Sequence, residues 1–324
     1  MEPPVHLLDF LRQHRSFILV GHQDPDADCI GSQLALGSAL KRMGCEVFLA
    51  NQGPFKRLEI NRYQPLFAET LDPFFKTKNP AVVVLDCSTP DRLGTLQNEL
   101  GTLPIAVIDH HAVGVSFGEV RWVVPKAPST TFLVERLIHN LLGAPTEEEA
   151  HWLLLGLCTD TGFFRHLEQG SSATFHTAAR LTEAGASPKA VFQQLNGGRL
   201  LANQKLMGLV LSRVESYWDN RVLVSWEEEG DRGKFGAENR ESDMIYQVLQ
   251  SVAGNLVVVL LRQDGPDKVT GGLRSKDVVD VATLAAIFGG GGHIRASGFS
   301  CSGHFSEVKQ RVLEALKVYF EPKP

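Results

Sequence analysis

Apolar runs without polar interruption alternate with segments of helical spacing along the first half of the chain. Apolar runs predict a buried strand at Phe17–Gly21 and a second strand at Cys45–Ala50. Short β-branched runs predict two more strands at Ala81–Leu85 and Ile105–Ile108. Helical spacing predicts helices over Ile30–Met43 and Thr131–Leu142. A capping box formed by Thr146 and Glu149 begins a further helix that ends near Leu157. Strands that alternate with helices predict an α/β domain whose parallel sheet is covered by helices on both faces.

The pattern changes after about Leu201, where strand-like runs follow one another across short turns. The spacing predicts two hairpins, Val210–Glu215 with Arg221–Trp226 and Leu256–Gln263 with Lys268–Leu273. Helices are predicted over Arg240–Val252 and Ser306–Phe320. We therefore expect a first domain over residues 1–190, a helical linker over 191–205, and a smaller α/β domain with a mixed sheet over 206–324.

Composition narrows the class of protein without identifying it. A chain of 324 residues with 43% hydrophobic and 21% charged residues is globular, and its length suits two domains. No apolar run approaches the roughly 20 residues of a membrane span, and Asp9, Arg12 and Arg15 interrupt the first twenty residues. Five scattered cysteines without a CxxC pair favour a reducing, cytoplasmic location. A net charge of −5 argues against coating of long duplex nucleic acid.

Acidic and histidine residues follow three of the predicted strands. The three clusters are His22, Asp26 and Asp28, then Asp86, and then Asp109, His110 and His111. A fourth candidate, Asp160, lies just past the helix that is predicted to end near Leu157. A single aspartate after a strand is usually a turn former or helix cap. Because the carboxyl ends of parallel strands share one edge of a sheet, three such clusters predict a ligand site there.

So many carboxylates raise one another's pKa unless cations neutralise them, which predicts a metal site. Carboxylates with imidazoles and no thiolate favour Mn²⁺, with Mg²⁺ as the alternative, over structural zinc. The number of candidate ligands favours two ions, about 3.5–4 Å apart. Such a pair can polarise a phosphoryl oxygen and activate a bridging water, so the predicted reaction is phosphoester hydrolysis.

The clusters also resemble the four motifs of the DHH phosphoesterase family. The segments that carry the resemblance are His22-x-x-Pro25-Asp26-x-Asp28, Asp86-Cys87-Ser88, Asp109-His110-His111 and Thr159-Asp160-Thr161-Gly162. Residues 289–298, with their run of four glycines, resemble the signature of the DHHA1 domain. Within the family, the chain is similar to the short two-domain nano-RNase and 3′-phosphoadenosine 5′-phosphate phosphatase group. It departs from the usual first motif at Asp24, Ala27 and Cys29, where that motif has Asn, Gly and Ala.

The resemblance implies a role for each motif residue. His22 and Asp26 would hold one ion, Asp28, His110 and Asp160 would hold the second, and Asp86 would bridge the two. His111 would contact the phosphate or donate a proton, and Asp109 would orient a neighbouring ligand.

The glycine run and the end of the strand before it form a candidate phosphate-binding segment. A helix C-cap explains one or two glycines, whereas successive glycine amides suit an anion. Arg274 adds a planar donor fork and Ser275 a hydroxyl. Together with the resemblance to the DHHA1 signature, these residue types imply that the second domain contacts the substrate. The implied contact residues are Arg274, Ser275, Gly290, Gly291, Gly292 and His293. Arg165 is a further candidate, with a solvated surface arginine as the alternative.

The sequence thus predicts a two-metal phosphoesterase that hydrolyses very short single-stranded RNA to mononucleotides and 3′-phosphoadenosine 5′-phosphate to AMP. The main alternative is a phosphodiesterase of cyclic or linear dinucleotides. A manganese pyrophosphatase shares the metal motifs but usually has a Lys/Arg-rich segment in place of Gly289–His293. A regulator that binds nucleotides without catalysis is a more distant alternative, because the candidate ligands are intact. We expect no membrane partner, and a homodimer remains open.

Overall fold

The protein divides into two structural units between Gly198 and Arg199. The structure is a computed structural model that describes residues 1–237, 240–276 and 279–321. Each unit has its own sheet and its own buried core. In the described part of the chain, no helix combines the length and the apolar character needed to cross a membrane.

A wholly parallel sheet forms the centre of the first unit. Its strands are β1 (Ser16–Gly21), β2 (Glu46–Ala50), β3 (Ala81–Leu85), β4 (Ile105–Asp109) and β5 (Val120–Val123). They lie in the order β2-β1-β3-β4-β5. This arrangement confirms the predicted parallel sheet and places the carboxyl ends of β1, β3 and β4 side by side. Strand β5 was not predicted from the hydrophobic pattern, because it is an edge strand with a single buried residue, Trp122.

Helices cover both faces of this sheet. They are α1 (Val5–Gln13), α2 (Ala27–Arg42), α3 (Leu58–Asn61), α4 (Pro73–Lys76), α5 (Leu96–Leu100), α6 (Thr130–Leu142), α7 (Glu147–Asp160), α8 (Ser172–Glu183) and α9 (Pro188–Asn196). Short 3₁₀ turns occur at Gln64–Leu66 and Pro90–Leu93. The predicted capping box of α7 is present, with both Thr146 and Glu149 making their reciprocal hydrogen bonds. The predicted end of α7 near Leu157 was wrong, because the helix continues to Asp160.

The second unit contains a mixed sheet in the order β10-β11-β9-β8-β7-β6, as predicted for a smaller α/β domain. Its strands are β6 (Glu215–Tyr217), β7 (Val222–Glu227), β8 (Val257–Gly265), β9 (Lys268–Ser275), β10 (Gly291–His293) and β11 (Ala296–Ser302). Its helices are α10 (Leu201–Ser212), α11 (Asp231–Phe235), α12 (Ser242–Gln250), α13 (Val281–Ala286) and α14 (Phe305–Phe320). Both predicted hairpins are present, β6–β7 and β8–β9.

One predicted strand of the second unit began too early. Val210–Glu215 was predicted as a strand, but residues up to Ser212 belong to α10, and the strand starts at Glu215. The side chains of Leu206 and Val210 are buried one helical turn apart beneath the sheet. Periodicity alone cannot distinguish a strand from a helix in so short an apolar run. Burial of these two side chains beneath the sheet favours the helix.

Close packing of α2 against α7 stabilises the layer that lies above the parallel sheet. A Cβ atom on Gly31 would lie 2.5 Å from the carbonyl oxygen of Trp152, well inside van der Waals contact. Because that neighbour is backbone, it cannot move aside without displacing the helix. Gly31 therefore permits the close approach of these two helices.

We expect Gly31→Ala to destabilise the protein by about 1–3 kcal/mol, because the added methyl group overpacks the α2–α7 interface. The matched control is Gly208→Ala in α10, where a Cβ would meet open space. That control should raise stability by about 0.5–1 kcal/mol through helix propensity. Urea unfolding of the two variants and the wild type measures both effects. A Gly31→Ala protein as stable as the wild type would contradict the packing argument.

Candidate metal centre

The carboxyl ends of β1, β3 and β4 bring three of the predicted clusters to one edge of the sheet. Asp86, the residue after β3, is buried and has a left-handed backbone with φ of +57°. Its amide donates to the carbonyl oxygen of Ile108 on the neighbouring strand. The strained turn thus directs the Asp86 carboxylate into the space between the other two strand ends.

The first turn of α2 holds two of the candidate ligands. Asp26 is the N-cap of this helix, and its Oδ1 accepts hydrogen bonds from the amides of Asp28 and Cys29. Asp28 lies within the helix and is fully buried. Its carboxylate accepts from the amides of Thr130 and Thr131 at 2.6 and 2.8 Å, and from the Thr131 hydroxyl at 2.6 Å. The N-terminus of α6 therefore stabilises the Asp28 carboxylate.

Thr130 is a residue of this site that the sequence motifs did not predict. Its hydroxyl donates to Oδ1 of Asp86 at 2.9 Å, while its amide donates to Asp28. One residue thereby orients two candidate ligands. The available signal was the Ser129-Thr130-Thr131 segment, where hydroxyl residues precede an apolar helix, although such a segment predicts only a helix start.

Two histidines turn the same ring atom toward the carboxylates. Nδ1 of His22 donates to the carbonyl oxygen of Gln23, and Nδ1 of His110 donates to that of Ala127. Because a carbonyl oxygen only accepts, these bonds leave Nε2 of each ring directed at the acidic cluster. Nε2 of His22 lies 3.4 Å from Asp86 and 4.0 Å from Asp26.

Nε2 of His110 lies among three carboxylates, 3.1 Å from Asp160, 3.5 Å from Asp86 and 3.8 Å from Asp28. Asp160 reaches this position from the last turn of α7. A backbone carbonyl on Nδ1 with Nε2 facing carboxylates is the arrangement that liganding histidines typically adopt.

His111 and Asp109 form a separate pair beside the cluster. Nδ1 of His111 lies 2.7 Å from Oδ1 of Asp109 and 3.7 Å from Asp86, and about a third of the His111 side chain is exposed. Oδ1 of Asp109 also accepts from the amide of His110. Oδ2 of Asp109 is buried, and it has no hydrogen-bond partner among the described residues. Asp109 therefore orients the two histidines that follow it.

The charges of the cluster shift its pKa values in opposite directions. Burial and the nearby Asp160 and Asp86 raise the pKa of Asp28 well above its usual range. Burial likewise raises the pKa of Asp160 to about 6. For Asp86, burial is outweighed by His22, His110 and His111, which lower its pKa to about 2. For His110, burial is outweighed by Asp160, Asp28 and Asp86, which raise its pKa to about 10. The carboxylates and imidazoles of the cluster thus shift one another's pKa values, as expected for charged groups that are packed closely together.

The donor set fits divalent cations. Three overlapping groups of side chains offer ligand atoms within 4.8 Å of one another: Asp28, His110 and Asp160; Asp86, His110 and His111; and His22, Cys29 and Asp86. Carboxylate oxygens and Nε2 atoms suit Mn²⁺ and Mg²⁺. Burial raises the pKa of the Cys29 thiol well above its usual range. That thiol lies between Gln33 and Asn51. We therefore do not assign Cys29 as a ligand.

The predicted substrate residues of the second unit separate into three groups. Arg274 and Gly290 line a cavity on one face of the sheet. Ser275 is buried, and its hydroxyl accepts a hydrogen bond from the amide of Val279. Gly291, Gly292 and His293 are exposed in the short strand β10.

Arg165, the remaining candidate, is an exposed residue of the first unit. It follows the left-handed turn of Gly162, Phe163 and Phe164, and its Nε donates to the carbonyl oxygen of Gly162.

The chain is similar in sequence to known protein families and to individual proteins. Residues 16–157 match the DHH family, N-terminal domain, and residues 219–321 match the DHHA1 domain. The bifunctional oligoribonuclease and PAP phosphatase NrnA of Thermus thermophilus is 33% identical over 299 residues, which cover 91% of this chain and 87% of that protein. The cyclic-di-AMP phosphodiesterase PdeA of Listeria monocytogenes is 25% identical over 97% of this chain but only 49% of its own length.

A crystal structure of an exopolyphosphatase-related protein from Bacteroides fragilis has the same fold, with a TM-score of 0.80 and 24% identity over 98% of this chain and 97% of that one. The parallel sheet, its acidic and imidazole cluster and these matches define a hydrolase that acts on phosphoester bonds. The chain belongs to the DHH family of phosphoesterases, with a DHHA1 domain following the DHH domain.

We expect Thr130→Val to weaken binding of divalent cations about tenfold, because a valine of the same shape cannot donate to the Asp86 carboxylate. Calorimetric titration of Mn²⁺ into the chelator-treated chain measures this effect. Thermal unfolding of the metal-free protein shows whether the fold is kept. The control is Thr182→Val, which removes the hydroxyl of an exposed α8 residue that donates to the carbonyl oxygen of Ala178. Wild-type cation affinity in Thr130→Val would show that this hydroxyl does not orient Asp86.

Proposed function

We propose that the protein hydrolyses very short oligoribonucleotides to mononucleotides and 3′-phosphoadenosine 5′-phosphate to AMP. The observation that carries this proposal is the convergence of two imidazoles on a group of carboxylates. Nε2 of His22 lies 3.4 Å from Asp86, and Nε2 of His110 lies 3.1–3.8 Å from Asp28, Asp86 and Asp160. The substrate class is supported by the 33% identity to the Thermus oligoribonuclease and PAP phosphatase, over most of both chains. Both reactions add water across a P–O bond, so one protein can perform them at one site.

The proposed ligands divide into two sets that share Asp86. His22, Asp26 and Asp86 would hold one cation, because Nε2 of His22 faces both carboxylates. Asp28, His110 and Asp160 would hold a second cation together with Asp86. When bound, such cations neutralise charge on the phosphate and lower the pKa of a water molecule. The imidazole nitrogens favour Mn²⁺ over Mg²⁺ for these two sites.

His111 is the proposed proton donor to the leaving oxygen. The hydrogen bond that Nδ1 of His111 donates to Asp109 raises the pKa of His111, and partial exposure gives the ring access to a ligand. With Nδ1 bonded to Asp109, Nε2 can hold the proton that the departing oxygen takes up. Asp109 then acts by positioning His111.

Substrate binding is proposed to use the second unit. Arg274 offers a planar cation in a cavity, and Gly290 leads into the exposed Gly291–His293 strand, whose backbone an anion can approach. In the first unit, Arg165 is close in sequence to Asp160 and is a further phosphate contact in this proposal. The partners expected from this arrangement are small nucleotides and short single-stranded RNA.

A phosphodiesterase of cyclic or linear dinucleotides is the second candidate function. It is favoured by the match of nearly the whole chain to part of the Listeria cyclic-di-AMP phosphodiesterase. The same catalytic cluster would serve, since the bond that is broken is again a phosphodiester. Substrate preference therefore separates the two candidates.

We expect the purified protein with Mn²⁺ to convert a labelled five-nucleotide RNA to mononucleotides and 3′-phosphoadenosine 5′-phosphate to AMP. Cyclic-di-AMP and pyrophosphate, assayed in parallel by time-resolved product analysis, should be hydrolysed much more slowly. Asp86→Asn should lower every one of these activities by several orders of magnitude, because the lost charge belongs to both proposed ligand sets. A preference for cyclic-di-AMP would replace the proposed function with the second candidate. A folded Asp86→Asn protein with near wild-type turnover would contradict the proposed site.

We expect chelation to abolish activity and Mn²⁺ to restore it to a higher level than Mg²⁺, because His22 and His110 contribute imidazole nitrogens. The measurement is hydrolysis of 3′-phosphoadenosine 5′-phosphate after removal of the chelator and titration with each cation. Full activity in Mg²⁺ with no gain from Mn²⁺ would contradict the proposed preference.

A further inference from the structure

One face of the sheet in the second unit is only partly covered. Helices α10 and α12 pack on this face over β7 and β8, where Leu223, Val258 and Leu260 join their apolar side chains. Farther across the sheet the face bears Gly272 on β9 and Gly298 on β11, which are paired in register. A cavity of about 430 Å³ lies on this part of the face, and Gly272 and Gly298 are among the residues that line it.

Arg274 forms one end of this cavity. Its guanidinium lies 4.3 Å from the ring centroid of Tyr246, a buried residue of α12. The Tyr246 hydroxyl in turn lies over Gly272, where a Cβ atom would approach it to 2.0 Å. Gly272 thus makes room for the tyrosine, and the tyrosine supports one flat side of the Arg274 guanidinium. The only ion pair of Arg274 among the described residues is with Asp243. Nη2 of Arg274 lies 3.8 Å from Oδ1 of Asp243, whose side chain is almost fully exposed.

Arg262, on strand β8, lies at the other end of the same cavity. It is paired with Thr270 on β9, four residues before Arg274, and both Arg262 and Thr270 line the cavity. At about 3.3 Å per residue, four residues separate the two arginine positions by roughly 13 Å along the strand. The two cations can therefore contact different groups of one ligand.

The charge of Arg262 is not balanced within the described residues, where its side chain makes no hydrogen bond or ion pair. Glu227, which is paired in register with Arg262, and Asp264, two residues farther along β8, already have other hydrogen-bond donors. Arg240 donates to both Glu227 and Asp264, and the hydroxyl of Thr270 also donates to Asp264. A half-buried arginine without a carboxylate partner, in a cavity that holds a second arginine, suits an anion.

We propose that Arg262 and Arg274 bind two different phosphate groups of one nucleotide ligand across the glycine-lined floor of this cavity. This inference rests on the proposed function for the identity of the ligand, and it adds Arg262 as a determinant of substrate length. A ligand with a single phosphate engages one of the two arginines, whereas a short oligonucleotide engages both. The second unit would then favour substrates with at least two phosphates.

The test is binding of 5′-phosphorylated triadenylate to the full-length chain in the presence of EDTA, which prevents hydrolysis. Fluorescence anisotropy across a range of KCl concentrations gives both the affinity and its salt dependence. Arg262→Gln should weaken binding about tenfold at low salt, as expected for loss of a charge-assisted hydrogen bond. It should also reduce the slope of log K against log salt by about 0.7, because one phosphate contact to a single strand is lost.

Two further variants control for charge and for folding. Arg262→Lys keeps the cation and should keep the salt slope of the wild type. Arg311→Gln removes an exposed arginine of α14, which lies over Phe288 and belongs to the opposite face of the sheet, so affinity and slope should be unchanged.

The inference is overturned if Arg262→Gln retains wild-type affinity and slope, if Arg311→Gln causes an equal loss, or if the wild-type chain does not bind the probe. These results are independent of catalysis. A chain that fails to hydrolyse short RNA with Mn²⁺, yet shows the Arg262 effect on binding, would reject the proposed function and retain the two-arginine site. A chain that hydrolyses short RNA, but whose binding does not depend on Arg262, would support the proposed function and reject the two-arginine site.

Discussion

The buried carboxylate of Asp28 is the interaction on which the site depends. A carboxylate that is removed from water costs several kcal/mol unless other groups replace its hydration. Three donors from the first residues of α6, two amides and one hydroxyl, replace it here. The amides at a helix N-terminus are otherwise unpaired, and the helix dipole favours negative charge there. Helices α2 and α6 thus satisfy each other's polar groups, and their contact sets the geometry of the cluster.

The remaining candidate ligands are arranged around this contact. Thr130 links Asp28 to Asp86 and so connects α6 to the end of β3. Gly156 allows α7 to approach the same point, since a Cβ there would meet the side chain of Thr131 at 2.5 Å and Cα of Asp28 at 2.9 Å. That approach brings Asp160 from the end of α7 to within 3.1 Å of His110. A small residue in one helix therefore determines whether the fourth motif can join the first three.

The two units contribute opposite charges to the proposed chemistry. The first unit concentrates carboxylates and imidazoles at a sheet edge, where divalent cations would reduce the repulsion among the carboxylates. The second unit places Arg262 and Arg274 over a sheet face that glycines leave open. The acidic cluster suits cations and the arginine pair suits the anionic substrate. Neither function depends on the overall charge of −5, because both are local arrangements.

The sequence alone predicted most of the fold and the members of the acidic cluster. Strand β3 and the capping box of α7 agree with the sequence prediction, because uninterrupted apolar runs and capping residues are local signals. Parallel strands share an edge, so the clusters at their ends could be expected to meet, although their roles as ligands remain predictions. Only the tertiary structure showed that Thr130 orients Asp86 and that α7 extends to Asp160.

The direction of side chains in the second unit was also decided by the tertiary structure. Arg274 and Ser275 are adjacent in sequence and were both expected to bind phosphate, but consecutive residues of a strand point to opposite faces. Packing decided which face is covered: Ser275 is buried, whereas Arg274 lies over Tyr246 at the cavity that it shares with Arg262. Local sequence determines that a strand forms and which residues alternate along it. Which of its faces stays open depends on helices that are distant in sequence, and only their packing against the sheet decides it.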